Sequence, residues 1–436
     1  MKKVSIPTGT SYCDSLQFIE KVLYGKKNNG HTEDDCVLES LLPFREQAAI
    51  VTHYIALEEN EPNNIYASKG KYLLDLWFNN MSEKLKALDI QYLESIDLFK
   101  EWLVSCFKKS PFLPDNNAKI KFIDLFAGIG GFRVAMQKCG GKCVYSSEWD
   151  YNAQTTYLHN FGEVPFGDIT SDRNKDLIPD KFDILCAGFP CQAFSIAGYR
   201  KGFEDTRGTL FFDVADIIKR KRPKAVLLEN VKNLKTHDGG RTFNVISSTL
   251  AELGYKVYAR VMNAMEYANI PQNRERIIIV CFDPKQVPAY EDFSFPEKVP
   301  LSSTIHDCID YEEDSKKLFY DDRMSHIAEL REAITSKDSI YQWRRQYVRE
   351  NKSHVCPTLT ANMGTGGHNV PLILTDKGIR KLSPKECINF QGYPSEYTFP
   401  ESIADSAKYK QAGNSVVVPL INKICQNIVT IISMNS

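Results

Sequence analysis

Six short apolar runs alternate with helical patterns after Lys119, and this alternation constrains the fold more than any other feature of the chain. The runs are KFIDLF (121–126), KCVYSS (142–147), FDILCAG (182–188), KAVLLEN (224–230), KVYARVMN (256–263) and RIIIVCF (276–282). Strands that alternate with helices build a mostly parallel sheet covered by helices. The sequence therefore predicts an α/β fold with a doubly wound sheet.

The segments on either side of this alternation predict two further units. Residues 1–118 contain three stretches whose apolar residues are spaced three and four apart, which predicts a separate helical extension, although no pattern in it points to a role. Residues 298–408 lose the alternation and predict a smaller, irregular domain. The apolar C-terminal stretch predicts a closing helix, capped by Asn414 or Ser415, so that 119–297 plus 409–436 form the sheet domain.

Composition limits the class of protein and its partners. The 436 residues carry a formal net charge of -1, so any affinity for nucleic acid has to come from local basic patches. The twelve cysteines are scattered without a CxxC pair, and no zinc-ligand pattern surrounds Cys139 and Cys143, so no metal is expected. Because no signal peptide or membrane span is evident, we expect a cytoplasmic protein with reduced thiols and no membrane partner.

A glycine-rich turn follows the first predicted strand. In DLFAGIGGF (124–132), Gly128, Gly130 and Gly131 allow a tight turn into a helix and let a ligand approach the backbone. The spacing GxGG differs from GxGxxG, which argues against a dinucleotide fingerprint. A plain structural turn is the alternative interpretation.

Two acids after this turn favour an adenosine-containing cofactor. Glu148 ends the second run in SSEWD, where a carboxylate can accept hydrogen bonds from both ribose hydroxyls and Trp149 is available to lie along adenine. Asp168, followed by Ile169, can accept a hydrogen bond from an exocyclic amine. Taken singly, such acids are more often solvated strand ends. The glycine loop carries no lysine for phosphates, so S-adenosylmethionine fits better than ATP or NAD.

A thiol and a carboxyl group follow two consecutive runs. Cys191 comes after the run 182–188, in a loop that Gly188 and Pro190 make rigid, and Glu229 ends the next run. The carboxyl edge of an open α/β sheet is where ligands bind, so we expect both groups at one site. An inert, buried thiol is the alternative.

Arg274 and Arg276 open the last run in PQNRERI. Their alternation directs both guanidinium groups to one side of the strand, where they can bind substrate oxygens or orient Glu229. An exposed strand edge is the alternative interpretation.

Six motifs in one order make the chain resemble the cytosine-5 DNA methyltransferases, the bacterial restriction-modification type in particular. The motifs are FIDLFAGIGGF, GFPCQAFSIAG, GFEDTRGTLFFD, ENVKNL, PQNRERI and YKQAGNSVVVP, and the resemblance spans roughly residues 119 to 430. It implies the fold of the S-adenosylmethionine-dependent methyltransferases, S-adenosylmethionine as cofactor and double-stranded DNA as substrate.

The resemblance also implies a role for each candidate catalytic residue. The Cys191 thiolate adds to C6 of cytosine and makes C5 nucleophilic. Glu229 shares a proton with N3, Arg276 holds O2, and Arg274 supports the arrangement. C5 then takes the methyl group, and loss of its proton expels Cys191. Because C5 of cytosine is inaccessible inside a duplex, the resemblance implies that the cytosine is flipped out.

The resemblance further implies two sets of binding residues. The cofactor set is Phe126, Gly128, Gly130, Glu148, Trp149, Asp168, Ile169, Pro190, Leu210, Asn414 and Val416. The DNA set begins with Gln192 and Ser195, which match a loop that closes over DNA.

The basic and aromatic stretch YQWRRQYVRENK (341–352) has the composition of a nucleic-acid surface, although a solvated face is equally typical of a charge run. In CPTLTANMGTGGHNVP (356–371), TLTA resembles the family's target-recognition core, and the glycines that follow predict a loop entering the major groove. These stretches complete the DNA set with Arg344, Arg345, Thr358, Gly366, Gly367 and His368.

Two alternatives remain open at this point. One is methylation of a tRNA cytosine, because relatives of this family act on tRNA, and the other is a catalytically silent DNA-binding protein. Family type also implies a possible companion restriction endonuclease, and a monomer is the simplest expectation for chemistry on one strand.

Overall fold

The computed structural model describes residues 11–25, 42–57, 64–87, 94–190, 210–324, 326–344, 346–364 and 370–434. Four helices precede the sheet, and Ser11 and Ser95 cap the first and last of them with their hydroxyl groups. The helices are α1 (Tyr12–Tyr24), α2 (Phe44–Leu57), α3 (Ala67–Ala87) and α4 (Ile96–Phe107).

Each of the six predicted runs forms one strand of a single sheet. In chain order the strands of this region are β1 (Ile120–Leu125), β2 (Gly141–Ser147), β3 (Ile184–Ala187), β4 (Ala225–Val231), β5 (Lys256–Asn263), β6 (Gln272–Asn273) and β7 (Glu275–Phe282). The sheet order is β2-β1-β3-β4-β7-β5, with β6 outside it. The first four strands are parallel, whereas β7 runs antiparallel to both of its neighbours. The predicted α/β fold with a mostly parallel sheet is confirmed.

Helices cover both faces of this sheet because alternate strand residues point to opposite sides. In β3, Ile184 and Cys186 join one hydrophobic core, and Leu185 and Ala187 join the other. The helices of the region are α5 (Gly131–Lys138), α6 (Tyr151–Phe161), α7 (Asp172–Lys175), α8 (Leu210–Lys221), α9 (Arg241–Glu252) and α10 (Ala264–Tyr267).

The segment after the sheet folds around a small antiparallel sheet. Its elements are α11 (Ile327–Ala333), β8 (Tyr341–Trp343), β9 (Val348–Glu350), β10 (Cys356–Pro357), β11 (Leu372–Thr375), β12 (Gly378–Lys381) and α12 (Pro384–Asn389). Four strands pair in the order β12-β11-β8-β9, and β10 pairs instead with β6 beside the main sheet. The pairing of β10 with β6 carries the TLTA segment towards the start of β7. The limits 298 and 408 of this unit stay a prediction.

Two helices, α13 (Asp405–Asn414) and α14 (Val418–Ser433), close the fold. The prediction that Asn414 or Ser415 caps the closing helix is wrong, because Asn414 ends α13 and α14 begins after Val417 without a side-chain cap. Pro419 in the first turn of α14 presets the helical backbone angle instead. Within the described chain, the stretch Asp405–Ser433 is long and apolar enough to cross a membrane. However, 61% of its most apolar 18 residues are buried inside the protein.

The four N-terminal helices share one hydrophobic core with one face of the sheet, and α2 contacts β2 directly. Val51, Leu74 and Trp77 share one hydrophobic core with Val144 and Leu185 of the strands. The boundary at residue 118 therefore stays a prediction about sequence organisation, since the packing is continuous across it.

Polar contacts accompany this shared core. The buried Tyr66 hydroxyl donates to the Leu177 carbonyl oxygen at 2.8 Å, and the Thr52 hydroxyl accepts from the Val164 N–H at 3.0 Å. Buried polar groups that lose such partners destabilise the folded state, so these bonds fix how the helices sit on the sheet.

We expect Tyr66→Phe to lower the free energy of unfolding by about 1 kcal/mol, because the buried Leu177 carbonyl then loses its donor. Chemical denaturation of the full chain measures this change. Tyr72→Phe is the matched control, since Tyr72 lies in α3, which begins directly after Tyr66, and is 58% exposed. Equal stability of the two variants would contradict the predicted contribution of this contact.

Candidate active site and DNA cleft

A cavity of about 720 Å³ opens at the carboxyl edge of the parallel strands. Its walls are the glycine turn after β1, the loops after β2, β3 and β4, the start of β7 and the link between α13 and α14. This is where an open α/β sheet binds its ligands, because the loops on either side of β1 diverge there.

The glycine turn leaves room for a ligand on one side and packs tightly on the other. Gly128 has φ +55°, and a Cβ placed on it would meet nothing closer than the Phe126 carbonyl oxygen at 4.0 Å. Gly130 has φ +79°, and a Cβ there would collide with the Phe161 ring. Gly128 thus borders open space in the cavity, whereas Gly130 lets α5 begin against the core.

Glu148 is held in a fixed orientation at the cavity wall. Its Oε2 accepts from the Gly128 N–H at 2.8 Å, and its Oε1 accepts from the Asp150 N–H at 2.8 Å. Burial raises the pKa of Glu148, and these two backbone donors oppose that rise. Each carboxylate oxygen keeps a second lone pair, so the group can still accept hydrogen bonds from a diol.

The neighbouring side chains fit an adenosine group. Trp149 is 79% exposed beside Glu148, and Asp168 is exposed with its Oδ1 accepting from the Thr170 N–H at 2.9 Å. Ten of the eleven predicted cofactor residues line the cavity, namely Phe126, Gly128, Glu148, Trp149, Asp168, Ile169, Pro190, Leu210, Asn414 and Val416. Gly130 packs against Phe161 instead. Their direct contact with a cofactor stays a prediction.

Glu229 and Arg276 form an ion pair on the far wall of the same cavity. The Arg276 Nε lies 3.0 Å from the Glu229 Oε1, and both side chains are largely buried. The pair forms because β7 runs antiparallel to β4, which sets Arg276 opposite Val231 at the carboxyl edge. Gly188 lies in the loop that leads towards Cys191. A Cβ added to it would lie 3.9 Å from the Glu229 Oε2.

Arg274 is fully buried and joins three parts of the chain through their backbone. Its guanidinium donates to the carbonyl oxygens of Leu359 at 2.8 Å, Ser415 at 2.7 Å and Gly413 at 3.1 Å. Burial and the neighbouring charge of Arg276 lower the pKa of Arg274 to about 9. Arg274 therefore ties the TLTA segment and the α13–α14 link to the start of β7, and its predicted part in catalysis stays a prediction.

A second cavity, of about 780 Å³, lies between the main sheet and the small sheet, and we call it the cleft. Two predicted DNA residues, Arg344 and Thr358, line it, and the Thr358 hydroxyl donates to the Asn273 carbonyl oxygen at 2.6 Å. Arg276 and Val231 line both cavities, so the cleft and the cofactor cavity meet at the Glu229–Arg276 pair.

Several predicted site residues lie outside the described residues. They are Cys191, Gln192, Ser195, Arg345, Gly366, Gly367 and His368. Conversely, Lys232 and Arg349 line the cleft without having been singled out as candidates. The signal for Lys232 was present in the motif ENVKNL, and that for Arg349 in the basic stretch 341–352. Among the described residues, no group of three His, Cys, Asp or Glu side chains is placed to hold a metal ion.

A family model for the C-5 cytosine-specific DNA methylase matches residues 120–430. The chain belongs to this family. It is a DNA cytosine-5 methyltransferase, an enzyme that transfers a methyl group from S-adenosylmethionine to C5 of cytosine in DNA. The family assignment predicted from the six motifs is confirmed.

Curated relatives match the same part of the methyltransferase. The type II methyltransferase M.Bsp6I of Bacillus sp. (strain RFL6) is 51% identical over 314 residues, which are 71% of this chain and 98% of that protein. M.HpaII of Haemophilus parainfluenzae is 46% identical over 71% of this chain and 88% of its own length. The family match begins at residue 120, after α1 to α4.

Solved structures show the same fold at low sequence identity. The Dnmt2 methyltransferase of S. pombe superposes with a TM-score of 0.54 at 14% identity, covering 73% of this chain and 99% of that one. The Entamoeba histolytica methyltransferase EhMeth gives 0.52 at 17% identity, covering 71% and 98%. The methyltransferase sheet is thus common to all three proteins.

We expect the affinity of the methyltransferase for S-adenosylmethionine to fall as the pH is lowered from neutral. Burial raises the pKa of Glu148, and protonation of this carboxylate turns one of its acceptor oxygens into a donor and weakens its hydrogen bonds from a diol. Isothermal titration calorimetry across this pH range measures the effect, with Glu148→Gln as the control that removes this titration. A Gln variant that keeps the full pH dependence would assign it to another group.

Proposed function

We propose that the enzyme methylates one cytosine within a specific short sequence of duplex DNA and protects host DNA in a bacterial restriction-modification system. The observation that carries this proposal is the Glu229–Arg276 pair, which stands where the cofactor cavity meets the cleft. A cytosine at this junction reaches both the methyl donor and the protein groups that activate the base. The bacterial relatives named type II methyltransferases support the biological role.

The chemistry requires C5 of cytosine to become nucleophilic. In our proposal the Cys191 thiolate adds to C6, which turns C5 into the nucleophilic carbon of an enamine. The methyl group is then transferred to C5, a base removes the C5 proton, and the C6–S bond breaks to release Cys191. S-adenosylmethionine would supply this methyl group from its sulfonium sulfur, and the neutral thioether S-adenosylhomocysteine would be the leaving group.

Glu229 and Arg276 activate the base in this proposal. Glu229 donates a proton to N3 as the thiolate adds, which neutralises the charge that develops on the ring. The Arg276 Nε holds the Glu229 Oε1 at 3.0 Å, so the carboxyl group meets the base in one orientation. The Arg276 Nη1 donates to the Glu275 carbonyl oxygen at 2.9 Å, and in this proposal Nη2 meets the cytosine O2.

The cofactor assignment places the adenosine part of S-adenosylmethionine at the loops after β1 and β2. Glu148 accepts from the ribose hydroxyls, Trp149 covers the adenine, and Asp168 accepts from its amino group. Gly128 borders the cavity without a side chain, which leaves the backbone open to the ligand.

Sequence reading belongs to the cleft. Arg344 and Arg349 give its walls positive charge that suits phosphates, although the whole chain is nearly neutral and Lys232 is paired with Glu275 at 2.8 Å. Thr358 lines the cleft together with Arg276 of the Glu229–Arg276 pair. In this proposal the phosphate of the flipped nucleotide lies at Thr358. Flipping costs a few kcal/mol, which contacts to the loop that bears Gln192 and Ser195 offset.

We further propose a monomer in the bacterial cytoplasm, with a companion restriction endonuclease that acts on the same site. Methyl transfer modifies one strand at a time, so one active site per chain suffices. We expect light scattering at assay concentration to give the mass of one chain.

We expect Cys191→Ser to abolish methylation while S-adenosylmethionine still binds, because only the covalent step is lost. Glu229→Gln keeps the shape of the side chain but removes the proton donor, so kcat falls by about 10²- to 10⁴-fold. Bisulfite sequencing of mixed-sequence duplex DNA after incubation with each variant measures both effects and shows the methylated motif.

Activity of Cys191→Ser at the wild-type rate would overturn the mechanism. Protection of tRNA cytosines, with none in duplex DNA, would overturn the proposed substrate and favour RNA methylation. Binding of DNA without any methylation would favour the catalytically silent interpretation.

We expect Arg344→Ala to weaken DNA binding and to make the dependence of log affinity on log salt shallower by about 1, as loss of one phosphate contact does. Arg323→Ala is the matched control, because Arg323 is exposed in the same unit and pairs with Asp321. Fluorescence anisotropy at several salt concentrations measures the slopes. Equal slopes for the two variants would place Arg344 outside the DNA contact surface.

A further inference from the structure

Helix α2 of the N-terminal extension lies against both acid-bearing loops of the cofactor cavity. Two consecutive residues make these contacts: Arg45 reaches the helix after Glu148, and Glu46 reaches the turn that bears Asp168. Both residues lie before residue 120, where the family match begins. The contacts therefore come from a part of the chain outside the region that matches the family.

Glu46 fixes the turn that bears Asp168. Its Oε1 accepts from the Gly167 N–H at 3.2 Å, and a Cβ at Gly167 would lie only 2.5 Å from that oxygen. The Asn174 amide, which also contacts the Glu46 carboxylate, donates to the Asp168 carbonyl oxygen at 2.9 Å. Two adjacent side chains, Glu46 and Asn174, thus hold the backbone around Asp168.

Arg45 acts on the loop that bears Glu148. Its guanidinium lies 3.6 Å above the Tyr151 ring and donates to the Thr155 hydroxyl at 2.9 Å and to the Gln154 Oε1 at 3.2 Å. The Gln154 amide nitrogen in turn donates to the Glu148 carbonyl oxygen at 2.6 Å. Arg45 therefore fixes the side chain that holds the backbone of Glu148.

The two loops are also joined to each other beneath α2. The Glu148 N–H donates to the Phe166 carbonyl oxygen at 2.8 Å, and His53 of α2 packs its ring 4.7 Å from the Phe166 ring. The contacts of Arg45 and Glu46 thus act on one hydrogen-bonded frame that carries both Glu148 and Asp168.

We propose that Arg45 and Glu46 are positioning residues for S-adenosylmethionine, so that the N-terminal extension is a structural part of the cofactor site. The inference rests on the proposed assignment of Glu148 and Asp168 to the cofactor. Neither residue touches the ligand in this proposal. They act by holding the backbone from which the two acids project.

The test is calorimetric titration of the full chain with S-adenosylmethionine. We expect Glu46→Ala to raise Kd about tenfold, which is about 1.4 kcal/mol and the size of one hydrogen bond. Glu46→Gln keeps the accepting oxygen and restores a Kd close to wild type. Arg45→Met, at a half-buried position, raises Kd about threefold and provides a second test if Glu46→Ala does not fold.

Thr52→Val is the matched structural control. It removes a buried hydrogen bond between α2, which also carries Arg45 and Glu46, and Val164, which precedes the turn at Gly167. Val164 is not among the residues that line the cofactor cavity. We expect Thr52→Val to lower the thermal midpoint and leave Kd unchanged. For Glu46→Ala we expect KM for S-adenosylmethionine to rise while kcat at saturation and DNA affinity stay at wild-type values.

Each remaining outcome decides against a particular claim. Equal changes in Kd for Glu46→Ala and Thr52→Val, or a Gln variant as weak as the Ala variant, would overturn the positioning role. Glu148→Ala and Asp168→Ala are the reference variants. If neither weakens binding, the assignment of the cofactor cavity itself fails. If both weaken binding and the Arg45 and Glu46 variants match wild type, only the present inference fails.

Discussion

The reversed direction of β7 is the constraint on which the active site depends. Five strands of the sheet point one way, and β7 runs between β4 and β5 in the opposite direction. Its first residues therefore lie at the edge where the parallel strands end, and Arg276 comes within 3.0 Å of Glu229. A parallel β7 would place the same arginines at the opposite edge, away from the carboxyl group and both cavities.

The buried Arg274 extends this arrangement to the rest of the chain. Its three backbone acceptors belong to the TLTA segment and to the link between α13 and α14, which are far apart in sequence. Among the described residues Arg274 has no carboxylate hydrogen-bond partner, so the three carbonyl groups that converge on its Nη1 and Nη2 offset part of the cost of burying its charge. The cofactor cavity and the cleft consequently share one rigid wall.

The N-terminal helices show how an extension becomes part of a catalytic unit. Among the described residues their apolar faces belong to the core of the sheet, since Trp77 and Leu74 lie in the same cluster as Val144 and Leu185. Helix α2 covers this face of the sheet, and the polar residues of its first turn lie beside the loops at the sheet edge. This packing brings Arg45 and Glu46 to the cofactor loops. Neither residue lies in a sequence motif that predicts such a position.

The sequence by itself determined the six strands, the sheet class and the family, because strand periodicity and the ordered motifs are local properties of the chain. Ten of the eleven cofactor candidates that the resemblance implied line one cavity in the structure, at the carboxyl edge of the sheet. The sequence-based prediction failed at the closing helix, where Pro419 rather than Asn414 or Ser415 sets the start. Only the tertiary structure decided the direction of β7, the burial of Arg274 and the contacts of α2, because each depends on which distant segments pack together.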